Sequence, residues 1–405
     1  MLLTPGADRA DGLTDDTAVL SAMLSVESAW AGVLGDLGVL TAQQAQVVAD
    51  ACNPSRYDVS QLAANVESGG NPAIPVVAAL RAQVAESDSA TAALVHKGLT
   101  SQDVIDTAVM LIARDCAAQL QRSLLAAADA VADLAQRERG TVMTARTLGQ
   151  PAVPTTFGAK AAGWLRGLDD ALRAVSALNF PVQCGGAAGT LSLLETLAPG
   201  LAATAPGLLA DRLGLTEPLG PWHTDRSPVT ALGDGLTRAS DILGKIAGDI
   251  VLAARPEIGE LSEPQATGRG GSSTMPQKHN PVLSVLVRSA ALQAPHLSAS
   301  LHTSAALAAD ERPDGAWHAE WQPVMSLLTL VPTAASQAAE VLSGLEVHRE
   351  AMQANVDAAM PALVAERRSV RPDESVSAAD YLGVVPALID RTLDAHATLR
   401  KELDS

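Results

Sequence analysis

"GRGGSSTMPQKHNP", residues 268–281, interrupts a chain that is otherwise rich in alanine and leucine. Three glycines and two prolines keep this stretch out of regular helix or strand, because glycine adds backbone freedom and proline removes a donor. Gly270, Gly271, Ser272, Ser273 and Thr274 can aim several N–H and O–H groups at one point, which makes a concavity suited to an anion. Lys278 adds a full positive charge and Asn280 a neutral donor. Such a set fits a carboxylate that gains charge when the neighbouring carbon becomes a carbanion. The order GxxxxGK[ST] is absent, so this is not a P-loop.

On either side of the loop the pattern is helical. Residues 101–139 contain neither Gly nor Pro. Ile105, Val109, Ile112, Cys116, Leu120, Leu124, Ala127, Val131 and Leu134 recur there in steps of three and four, one face of a helix. At 1.5 Å per residue such a helix spans roughly 58 Å, and Gly140 ends it. Similar windows cover 156–178, 228–254, 282–309 and 318–343. Pro228 and Pro281 suit first-turn positions, and Pro295 predicts a kink. Strand signals are scarce. The expectation is a mainly α subunit of three parts: an N-terminal helical domain (1–95), a central bundle of long helices (96–344) carrying the loop 262–281, and a short C-terminal domain (345–405). Within the last part, "ERRSVRPDESVS" (366–377) reads as a polar loop.

Composition limits the function classes. Apolar residues make up 47% of 405 and aromatics only 2%, a core of Ala, Leu and Val that favours close helix packing. A formal charge of −17 argues against a nucleic-acid surface, yet allows a locally positive pocket for an anionic small molecule. Three cysteines without CxxC spacing fit neither a disulfide framework nor a zinc site, and point to a reducing cytoplasm. No signal peptide is legible, and no apolar run is long enough to suggest a membrane span.

"GSSTMPQKHNP" resembles the signature GSSxMPxKxNP of the fumarase/aspartase superfamily. "VHKGLTSQDVIDTA" (95–108), "ARTLGQPAVPTTFG" (145–158), "QCGGAAGT" (183–190) and "ERPDGAWHAEW" (311–321) fall where that superfamily has its characteristic segments. The resemblance implies a homotetramer whose active sites are each assembled from three subunits. It implies Ser272 as the catalytic serine and His96 beside it. Ser273, Lys278 and Asn280, with Thr100, Ser101, Arg146 and Gln150, would surround a small anionic polycarboxylate. No cofactor and no metal are implied. Within the superfamily the segments are most like those of the 3-carboxy-cis,cis-muconate cycloisomerases. A C–N lyase like adenylosuccinate lyase, releasing fumarate, is the alternative, and a catalytically silent assembly is another.

One departure bears on that choice. Where the lyases carry a general-acid histidine after "RT", this chain has Leu148, and Tyr57 stands where adenylosuccinate lyases tend to have histidine. An amine leaving group needs a proton donor. A carboxylate, with a pKa near 4, attacks or leaves already ionised. Elsewhere, Thr100 and Ser101 suit the cap of the long helix, with Asp103 and Asp106 in its first turn. His223 reads as structural, Arg312 as a source of positive charge, and His318 as a candidate acid–base pair with Glu320.

Overall fold

The computed structural model describes residues 3–10, 12–271, 274–275, 278–372 and 375–403. Near the N-terminus α1 (Asp16–Asp36), α2 (Ala42–Ala51) and α3 (Ala73–Ala85) pack together, each opening on or near a turn. Asp15 caps α1 through the Ala18 N–H, and Thr41 forms a capping box with Gln44 on α2. α1 is long and apolar enough to cross a membrane, but Leu24, Val26, Trp30 and Val33 on it are wholly buried in the core.

Five long helices follow: α4 (Ser101–Arg137), α5 (Phe157–Ser176), α7 (Ser227–Ala253), α8 (Val282–Ala306) and α9 (Gly315–Ser343), with the short α6 (Ala205–Leu213) between the second and third. They lie within a few residues of the windows read from periodicity. α7 begins with Pro228 in its first turn, whereas Pro281 is the N-cap of α8 rather than inside it. α8 continues through Pro295, and α9 through Pro323 and Pro332. Alanines with no exposed surface, such as Ala113, Ala127, Ala161, Ala239, Ala294 and Ala335, let the helices approach closely. Phe157 and Trp164 meet edge to face at 5.7 Å between ring centroids.

The direction of these helices decides where the site residues lie. Arg226, just before α7, and Glu320, in the first turns of α9, both meet Asp106 or its partner near the start of α4. At the other end, the Gly158 N–H at the start of α5 donates to Glu138, just past the end of α4. α4, α7 and α9 therefore run one way and α5 returns.

Strand, scarce in the sequence, does occur at this far end. β1 (Val142–Thr147) and β2 (Gln150–Thr156) form an antiparallel hairpin with a bulge between Thr144 and Arg146. β3 (Leu261–Ser262) pairs with β4 (Glu346–Val347), also antiparallel. The C-terminal part is more helical than expected: Ala365–Val370 is a helical turn within the stretch read as a loop, and Val385–Leu403 is a 19-residue helix, α11. Before them, α10 (Arg349–Leu363) packs on the hairpin, while α11 docks on α5. His396 of α11 joins Asp169 of α5 (2.8 Å) and Asp129 of α4 (3.1 Å).

Candidate active site

Three of the five sequence breaks, 95–108, 183–190 and 311–321, converge at the head of α4. Asp103, with no exposed surface, accepts four hydrogen bonds. Its Oδ1 takes the Gly185 N–H (3.0 Å) and His223 Nε2 (2.8 Å), and its Oδ2 takes the Gly186 N–H (2.9 Å) and the Thr100 N–H (2.9 Å). One carboxylate thus ties "QCGGAAGT" and "PWHTDR" to the N-cap of α4. Burial lifts the Cys184 thiol well above its ordinary pKa, and Asp103 adds to it, so the thiol is inert.

A second buried cluster lies one turn along. Arg226 clamps Asp106 through Nη1 (2.8 Å) and Nη2 (3.0 Å), and Glu320 through Nη2 (2.8 Å) and Nε (3.1 Å). Trp317 Nε1 also donates to Asp106 (3.0 Å), and Arg226 lies 4.8 Å from the centre of the Trp222 ring. Burial opposes the Arg226 charge, but Asp106 and Glu320 overturn that and raise its pKa. Burial also raises the Glu320 carboxyl, against the pull of Arg226. The pairing of His318 with Glu320 expected from sequence does not form: Glu320 belongs to Arg226, while His318 is exposed, stacks near Trp321 and approaches the Asp314 carbonyl. His223 is structural, as read. These saturated groups are a frame.

Facing outward from that frame are His96, Thr100, Ser101 and Arg312, all partly exposed. Arg312 Nη1 donates to Thr100 Oγ1 (2.6 Å), and its Nε is buried with no partner among the described residues. His96 has φ +64°, and its Nδ1 lies 2.6 Å from Glu27 Oε1. A helix N-terminus with two hydroxyls, a guanidinium and an imidazole attracts a carboxylate.

The other sequence-derived site residues lie elsewhere. Thr147 pairs with Gln150, so Leu148 and Gly149 make a two-residue turn at the hairpin tip, with φ of +51° and +81°. A turn with two positive φ values is usually Asn-Gly; here a leucine takes the left-handed position with its side chain fully exposed. Arg146 is engaged by Glu260 at 2.7 and 2.9 Å, and Asn355 donates to the same carboxylate (2.8 Å), so this arginine fastens the hairpin. Tyr57 donates its hydroxyl to the Ala51 carbonyl. The hairpin and the head of α4 stand at opposite ends of a 37-residue helix, roughly 55 Å apart along its axis at 1.5 Å per residue.

Ser272 and Ser273 lie outside the described residues. Around them, Asn280 donates its backbone N–H (2.9 Å) and its side-chain amide (3.0 Å) to the Gly270 carbonyl and so closes the neck of the loop. Lys278 is exposed, and Arg269 pairs with Glu340 of α9. Glu263 receives the Leu283 and Ser284 N–H groups at the start of α8. One copy of the chain therefore does not bring His96, Gln150 and Lys278 together.

A family model described as Lyase matches residues 6–295. The chain belongs to the fumarase/aspartase superfamily. Among its relatives, a nitrosuccinate lyase of Streptomyces davaonensis is 44% identical over 369 residues, covering 88% of this chain and 76% of the relative. A 3-carboxy-cis,cis-muconate cycloisomerase of Bradyrhizobium diazoefficiens is 37% identical over 405 residues, covering 99% and 88%. The crystal structure of a 3-carboxy-cis,cis-muconate lactonizing enzyme from Pseudomonas putida superposes with a TM-score of 0.88 at 30% identity, over 95% of this chain and 96% of that one. The mainly α bundle of this lyase-superfamily enzyme is thus shared with solved relatives. Two features that escaped sequence reading, Arg226 and Glu27, had weak signals at most: the first adjoins His223 in "PWHTDR", and the second is a lone charge within the apolar run of α1.

Proposed function

We propose that this enzyme closes 3-carboxy-cis,cis-muconate to 4-carboxymuconolactone, using neither metal nor organic cofactor. The observation that carries the reading is the hairpin tip. From Thr144 to Pro151 the only charged side chain is Arg146, and Glu260 holds it. No group there can hand a proton to a departing amine. Lactonisation needs none, because the attacking carboxylate is already an anion and requires only alignment. On the carbon side Ser272 would deliver the proton, while Lys278 and the glycine-rich loop stabilise charge on the neighbouring carboxylate. The head of α4, with His96, Thr100, Ser101 and Arg312, would hold a second carboxylate of the substrate.

The separation of these groups supports a shared site. One copy would supply the head of α4, another the hairpin tip and a third the loop, in a symmetric homotetramer. The 44% identity to a nitrosuccinate lyase favours a second reading by the same logic: nitrite, like a carboxylate, is a weak base that leaves as an anion. The two are separated by following the diene absorbance of 3-carboxymuconate and the release of nitrite from nitrosuccinate. Loss of the diene absorbance supports the first, and nitrite release the second. Cleavage of adenylosuccinate, whose amine must be protonated, with neither of those reactions would overturn both.

A further inference from the structure

α1 carries one carboxylate whose place is hard to explain by packing. Glu27 is 1% exposed. Its Oε1 lies 2.6 Å from His96 Nδ1, and its Oε2 has no partner among the described residues. A buried carboxylate destabilises the fold unless a partner compensates it. The neighbouring thiol of Cys52 provides no counter-charge: burial and then Glu27 itself push its pKa up to about 12.

Three residues along the same helix, Trp30 Nε1 donates to the Lys97 carbonyl at 2.8 Å. α1 therefore grips two consecutive residues of one turn, the His96 side chain and the Lys97 backbone. That turn is strained. His96 sits at φ +64°, a region that a side chain with a β-carbon rarely adopts, and Gly98 follows at +90°. A β-carbon on Gly98 would stand 3.3 Å from the Trp30 ring. Val95 and Leu99 already provide the apolar contacts of the turn, at 2% and 9% exposure. Strained side chains that the surroundings hold in place mark functional positions.

We infer that Glu27 is a positioning residue for His96. The ionised carboxylate accepts from Nδ1–H, which fixes the ring and leaves Nε2 as the atom offered to a ligand. With Nε2 also protonated, the imidazolium meets a substrate carboxylate as a donor, and Glu27 supplies the compensating charge behind it. This rests on the proposed role of His96 as a substrate contact.

The test uses full-length Glu27→Gln, His96→Ala and the double variant, assayed on whichever substrate the enzyme turns over. Gln is isosteric but can present its amide N–H₂ to Nδ1, so it releases the tautomer. The expected result is a 10–100-fold fall in kcat/KM, carried by KM, as seen when partners behind a ligating histidine are removed. In the His96→Ala background the same substitution changes kcat/KM less than twofold. In parallel, ¹⁵N spectra of the His96 ring show Nδ1 protonated in the parent and a mixed tautomer in Glu27→Gln. Should the glutamine variant fold poorly, Glu27→Asp, which retracts the carboxylate, takes its place. An equal fall in both backgrounds, or a parent Nδ1 without a proton, overturns the inference. The ring spectra decide it even if neither proposed substrate reacts, whereas turnover by the parent with no effect of Glu27→Gln sinks it alone.

Discussion

Replacing Arg226 with methionine tests the buried frame directly. Arg226, Asp106 and Glu320 are 2%, 4% and 2% exposed, so two carboxylates share one cation out of water. Without the guanidinium, Asp106 retains Trp317 Nε1, Gln102 Nε2 and Gln183 Nε2, whereas Glu320 retains no hydrogen bond among the described residues. Removing one member of a buried ion pair costs about 3–5 kcal/mol. With two acids losing their shared cation and Glu320 left without a hydrogen bond among the described residues, the upper end, about 5 kcal/mol, is expected. That is a large share of a native margin of about 5–15 kcal/mol. The loss should depend on pH. Burial already holds the Glu320 carboxyl above its ordinary value of 4.5, and loss of the cation raises it further. A raised acid penalises the folded state at high pH, and protonation relieves the penalty as pH falls through the folded value. Urea unfolding at one protein concentration should therefore show Arg226→Met weakened most near pH 7 and less near pH 5. Adding Glu320→Gln should restore roughly 2 kcal/mol, by removing the worse-compensated charge. A deficit below about 1 kcal/mol at pH 7 would refute the reasoning, as would the same deficit at both pH values.

The docking of α11 gives a prediction of the same sign and a different residue. The hydrogen bond to Asp169 raises the His396 pKa above 6.5 against its burial, with Asp129 adding to the effect, and Arg400 faces the same Asp129. The His396 contribution is complete below 6.5 and declines as pH rises through the folded value, so protection of the 385–403 amides, taken relative to their intrinsic exchange rates, should fall on the alkaline side. In His396→Gln that pH dependence should vanish; its persistence would discard the assignment. For the shared site, His96→Ala and Lys278→Ala should each keep only a small residual activity alone. Mixed under conditions of subunit exchange they should recover about one quarter of parent activity, the chance that two randomly drawn copies each supply an intact residue. No recovery would place both residues in a site built by one copy.

What the sequence discloses and what it hides divide along the range of the interactions. The long helices were legible because an apolar face every three or four residues, unbroken by Gly or Pro, is local information, and α4 ends at Arg137 three residues short of Gly140. The hairpin at 142–156 was missed for a local reason as well: its turn is Leu-Gly, not Asn-Gly, and Pro151 and Pro154 weaken the strand pattern. The false pairing of His318 with Glu320 came from reading closeness in sequence as closeness in space. Residues two apart on a helix face different ways, so α9 sends Glu320 inward to Arg226 and leaves His318 outside. The true charge partners, Asp103 with His223, Arg226 with Asp106 and Glu27 with His96, are 120, 120 and 69 residues apart, separations that periodicity cannot bridge. The candidate site shows the same division one level higher. Its motifs could be read singly, but a 37-residue helix keeps the His96 and Gln150 segments at opposite ends of one copy. If the motifs belong to one reaction, the contacts that unite them must form between chains, where no pattern within a single sequence records them.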